Sequence, residues 1–69
     1  MTLEEYRVQL GLSISEMARK AGLDYGTMKR ALEGGSVSAK TARALSQMLS
    51  SETGQNVRIP DIQGLKTNI

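Results

Sequence analysis

At 69 residues, with nine lysines and arginines against seven acids and neither cysteine nor histidine, the chain has material for one small domain. Disulfides, zinc ribbons and Cys/His or Ser/His catalytic machinery are excluded, so stability must come from packing. The two aromatics, Tyr6 and Tyr25, sit among small and medium aliphatic side chains and methionines, a composition that favours an all-α or mainly α domain over a β-sandwich.

The first helix opens at Thr2, where T-x-x-E places Glu5 three residues on as a capping box; Leu3, Tyr6 and Leu10 form one apolar face and Gly11 ends the run. Ser13 with Glu16 repeats the box, and Ile14, Met17, Ala18 and Ala21 recur at helical spacing before Gly22. Leu23 bridges a tight connection to Asp24, the N-cap of a third helix over residues 25–33 with Met28, Ala31 and Leu32 inward and Gly34-Gly35 closing it. Ser38 caps a fourth helix from Ala39 to about Leu49, with Ala42, Leu45, Met48 and Leu49 buried and Lys40 and Arg43 outside. The segment 50-SSETGQN then reads as a turn-rich connector. In 57-VRIPDIQGLKTNI, Val57 and Ile59 alternate before Pro60, which allows either a short edge strand with a tail or a small terminal helix starting at Pro60.

No apolar run approaches the ~18–20 residues that cross a bilayer, and the acidic opening 1-MTLEEYRVQL is unlike a basic signal peptide, so a cytoplasmic protein without membrane attachment is expected. Charge is unevenly distributed: residues 19–43 carry six basic side chains against two acids, while the flanking segments are acidic or balanced. A one-sided basic patch on a nearly neutral domain is the electrostatic footprint of a nucleic-acid binder. No nucleophile or acid/base pair is apparent, since the acids fall mainly at helix starts, and an enzyme is not expected.

The segment 12-LSISEMARKAGLDYGTMKRALEGG resembles the helix-turn-helix signature of phage Cro and repressor proteins, the lambda-repressor-like family. The likeness rests on Leu-Ser, Glu-Met-Ala in the first motif helix, Ala-Gly-Leu at the turn, Thr-Met in the recognition helix and a closing glycine, about a third of the chain. It implies a compact domain of four to five helices over residues 1–50, with the motif at 13–33, the recognition helix at 24–33, and residues 51–69 as a short extended C-terminal arm. Two positions depart from the family pattern. Ile14 stands where a phosphate-binding glutamine is usual, and Leu32 where a glutamate pairs with the arginine of the first helix, so Arg7 must turn to Glu4 or Glu33 or remain solvated.

By that resemblance the second motif helix enters the major groove. Tyr25, Gly26, Lys29 and Arg30 form its exposed N-terminal face and are the candidate base contacts, Arg30 by a fork onto guanine, Gly26 by close approach of the main chain. Candidate phosphate contacts are Ser13, Ser15, Arg19, Lys20, Thr27, Ser38 and Lys40, although Thr27 has an equal alternative in closing hydrogen bonds near Asp24. The expected function is a sequence-specific transcriptional regulator, a Cro-like repressor on a palindromic double-stranded DNA operator, with no cofactor, metal or small-molecule ligand. Such proteins double one recognition helix by two-fold symmetry, and Val57, Ile59 and Ile62 are the candidate homodimer interface, with Leu65 and Ile69 adding apolar surface. Against the arm stands a tail folded back on its own core. Against DNA binding stands a non-enzymatic interaction module, antitoxin-like or an adaptor, whose basic residues are incidental.

Overall fold

A computed structural model describes residues 1–68. The chain is mainly helical: α1 (Leu3–Leu10), α2 (Ile14–Ala21), α3 (Tyr25–Leu32) and α4 (Ala39–Thr53) are joined by two three-residue strands, β1 (Ser36–Ser38) and β2 (Lys66–Asn68), and one 3-10 turn at Ile59–Asp61. Each helix begins on a side-chain cap. The Thr2 hydroxyl accepts from the Glu5 N–H at 3.1 Å while the Glu5 carboxylate accepts from the Thr2 N–H at 2.7 Å. Ser13 and Glu16 repeat this exchange at 3.1 and 3.0 Å, and Asp24 and Ser38 cap α3 and α4 through the N–H groups of Thr27 and Thr41.

The helix ends follow one scheme as well. After α1, α2 and α3, two successive N–H groups fold back onto the last turn; at α2 these are Gly22 to the Arg19 carbonyl at 3.2 Å and Leu23 to the Ala18 carbonyl at 2.8 Å. The reversal needs a left-handed residue, and Gly22 supplies it at φ 72°. The first two of these endings return an apolar residue, Leu12 or Leu23, to the edge of the core. Arg7 holds the first of these turns, bonding Glu4 on one side and donating to the Leu12 carbonyl at 2.9 Å on the other. Of the three expectations for Arg7, the pairing with Glu4 is the one observed.

The core draws on every helix: Met17, Met28, Leu45 and Leu49 are its largest fully enclosed side chains, ringed by Leu3, Ala18, Ala31, Val37, Ala42 and Met48. α4 contacts α1, α2, both strands and the 3-10 turn. It is also longer than its sequence suggests, continuing through Ser50–Thr53 to a Gly54 cap. Within this extension Ser50 and Thr53 turn their hydroxyls onto the carbonyls of Ser46 and Leu49, one turn back along the helix.

The C-terminal segment corrects the arm expectation. Val57 and Ile62 lie in this chain's own core at 4% and 3% exposure, and Ile59 packs against it. The backbone of Val57 is already satisfied within the chain: its N–H donates to the Ser50 hydroxyl at 2.9 Å and its carbonyl accepts from the Ser46 hydroxyl. Nothing of that peptide remains to pair with a second subunit as the proposed strand. Pro60 instead sits in the 3-10 turn, where its missing N–H is no loss. Beyond it Gln63 bridges Thr2, its N–H donating to the Met1 carbonyl at 3.0 Å, and β2 runs parallel to β1 with Ser36 opposite Lys66 and Val37 opposite Thr67. Ile69 lies outside the described residues.

Ile62→Ala is therefore expected to destabilise the fold by about 2–4 kcal/mol. In urea titrations its midpoint should fall without depending on protein concentration; a concentration-dependent loss would return Ile62 to an intersubunit contact. A second expectation follows from the caps. Hydrogen bonds from the Thr2 and Ser13 backbone hold the Glu5 and Glu16 carboxyls below their ordinary range. A carboxyl depressed in the folded state stabilises above its unfolded pKa, and that contribution disappears as pH falls through the folded one. Stability should thus drop below about pH 4.5, the ordinary carboxyl value. The double variant Glu5→Gln/Glu16→Gln, which keeps a capping amide but no titrating group, should show a shallower drop in urea titrations between neutral and acid pH.

Candidate nucleic-acid interface

The pair α2 and α3 meets across the three-residue turn Gly22-Leu23-Asp24. Met17 and Ala18 of α2 and Met28 and Ala31 of α3 are buried, and Ala18 is small enough for a close approach of the two helices. The opposite face of α3 is open: Tyr25 is 51% exposed, and Gly26, Lys29 and Arg30 are exposed beside it. These four are the residues the sequence singles out for base contacts, and they share one helix surface.

The phosphate candidates separate into groups. Thr27 and Ser38 come together with the base-contact candidate Arg30 and with Ser36, Val37 and Thr41 around a cleft of about 250 Å3 between α3, β1 and the start of α4. Thr27 and Thr41 also line a neighbouring cleft of about 420 Å3, which includes Asp24 and Lys40. Ser13 and Ser15 stay apart at the start of α2, and Arg19 is exposed on its last turn. Lys20 points elsewhere, meeting Glu52 of α4 at 3.5 Å. Among the described residues Arg19, Lys29, Arg30, Lys40 and Arg43 form no ion pair, so their charge faces solvent.

Hydrogen bonding reassigns Thr27. Its hydroxyl donates to one Asp24 oxygen at 2.6 Å and its N–H to the other at 3.1 Å, so both donors are engaged with the cap. These bonds, the hydroxyl's first, hold the Asp24 carboxyl below its ordinary range. Thr27 therefore orders the start of α3, the second of its two expected roles. Ser38 is engaged too: its hydroxyl accepts from the Thr41 N–H and donates to the Thr41 hydroxyl at 3.0 Å. That leaves the Thr41 proton as the donor at this point of the cleft, a residue sequence reasoning passes over as an ordinary helical threonine.

Arg30 is positioned by the end of its own helix. Gly34, at φ 85°, and Gly35 fold back onto the carbonyls of Ala31 and Arg30 at 3.2 and 2.9 Å. The Arg30 stem then lies on the bare Cα of Gly35, where a methyl group would come within 2.5 Å of Arg30 Cγ and 3.1 Å of the Arg30 carbonyl oxygen. Gly35 thus leaves room for the side chain to lie along the cleft. The sequence signal for this was the second glycine of the Gly34-Gly35 pair, since a Schellman ending requires only one.

Compared with known protein families, curated proteins and solved structures, the chain gives no match.

Gly26 has a local constraint that its sequence position does not reveal. A methyl group there would stand 3.3 Å from Asp24 Oδ2, an oxygen that Thr27 holds in place. Gly26→Ala should therefore recover less than half of the ~1 kcal/mol that alanine ordinarily gains over glycine in a helix. Chemical denaturation at neutral pH measures it; the full gain would show that the cap yields freely.

Proposed function

We propose that this chain is a sequence-specific regulator of transcription that binds double-stranded DNA, a Cro- or repressor-like protein without enzymatic activity, acting in the cytoplasm. The observation that carries the reading is the disposition of α3. It is anchored on its inner face by Met28 and Ala31 and raised on a capped three-residue turn, with Tyr25, Lys29 and Arg30 exposed on its outer face. A short helix so mounted can enter the major groove and set guanidinium, ammonium and phenol groups against base edges. The unpaired cations of α2, α3 and α4 supply the attraction to phosphates that makes such binding salt-dependent.

In this reading the protein works as a homodimer on a palindromic operator, because one α3 spans too few base pairs for useful discrimination. The pairing surface lies outside Val57 and Ile62, which are enclosed within the single chain. No cofactor or small-molecule effector enters the proposal.

Titration of a non-specific duplex between about 50 and 200 mM salt should show affinity falling by orders of magnitude, with the steep log–log slope of several released counterions. A flat slope would end the DNA reading and favour an antitoxin-like or adaptor module. Selection of bound sites from random duplexes should yield a palindrome with half-sites about one helical turn, ~34 Å, apart.

A further inference from the structure

The C-terminal strand, unremarkable in sequence, lies beside the cleft that Arg30 lines. β1 has its middle residue, Val37, buried and its outer two, Ser36 and Ser38, exposed. Because side chains alternate along a strand, Ser36 and Ser38 share the outward face of the sheet. The parallel register sets Lys66 directly opposite Ser36 and Thr67 opposite Val37. Burial follows the same alternation, with Lys66 exposed and Thr67 half-buried. Neighbouring strands are about 4.8 Å apart, so Lys66 projects from the same face as Ser36, one strand away from the cleft. That cleft already contains the cation Arg30 and the donor Thr41, and no acidic side chain is among its lining residues.

We propose that Lys66 is a phosphate-binding residue of the DNA-contacting surface, so that β2 is part of the interface with the DNA backbone. The inference rests on the DNA-binding reading above and adds a contact from the far end of the chain. Lys66 is suited to the role because it makes no ion pair among the described residues and has a flexible four-carbon stem ending in three donors. The other basic residue of the C-terminal segment, Arg58, differs in both placement and partner. It stands at the N-cap position of the 3-10 turn, where its N–H donates to the Asp61 carboxylate at 3.0 Å and its guanidinium meets the same group at 3.7 Å. The two side chains have equal charge, and of the two it is Lys66 that stands opposite a cleft-lining residue, Ser36.

The test compares salt dependences on a non-specific duplex of about 20 base pairs for the unaltered protein, Lys66→Gln, Lys66→Arg and Arg58→Gln. Lys66→Gln should reduce the log–log slope by about 1, the loss of one phosphate contact, and weaken binding uniformly across duplex sequences. Lys66→Arg should restore the slope, and Arg58→Gln should leave it unchanged. Urea midpoints of the four proteins should agree, since both positions are exposed. Equal losses for Lys66→Gln and Arg58→Gln would reduce the effect to net charge and overturn the proposal, as would an unchanged slope for Lys66→Gln while the unaltered protein binds steeply. If the unaltered protein itself shows no slope, the DNA reading fails and this contact fails with it.

Discussion

Leu45 and Leu49 stand one turn apart on α4, fully enclosed, and the space they occupy determines where the rest of a chain this short can pack. Without a disulfide or an aromatic cluster, a domain of this size depends on one continuous apolar seam. α4 provides it along most of its length, meeting α1 and α2 on one side and the strands and 3-10 turn on the other. α3 is attached differently. It rests mainly on α2, β1 and α1, which leaves its outer surface clear of α4. A helix held at its sides and open on its outer face is supported without being covered, as the proposed role in the major groove requires.

The local features were legible in the sequence, and for a physical reason. Thr2, Ser13, Asp24 and Ser38 are the caps the residue pattern indicates, and Gly11 and Gly22 close the helices where expected, because these interactions join residues three to five positions apart. The missing pieces are those that depend on distant partners. Ser36–Ser38 has no strand signature, since its pairing with Lys66–Asn68 is determined by how the tail is carried back across α4. Val57 and Ile59 do alternate as in a strand, but the Val57 N–H and carbonyl are already taken by the hydroxyls of Ser50 and Ser46. Those serines lie in stretches that read as helix and connector, so their hydroxyls gave no hint of a docking role.

The candidate site shows the same division. Tyr25, Gly26, Lys29 and Arg30 share one face as helical periodicity requires. What periodicity does not contain is the reach of Arg30 along its cleft, which depends on Gly35, or the exchange of donors by which Ser38 hands the outward proton to Thr41. The Ser38 hydroxyl, expected as a phosphate contact by itself, is thus half of a hydrogen-bonded pair with a single remaining donor.

The bridge between Thr2 and Gln63 has a consequence for how the molecule folds. It closes a loop of roughly sixty residues, an entropic cost of about 3–4 kcal/mol on the logarithmic scaling of ring closure. The helices nucleate from neighbours in sequence, whereas Val57, Ile62 and the two strands must wait for the chain to return. During synthesis, α1 through α4 leave the ribosome before the residues that complete their core. Until the C-terminal segment returns, the seam on α4 lacks Val57 and Ile62, so the core is complete only when the two ends of the chain meet.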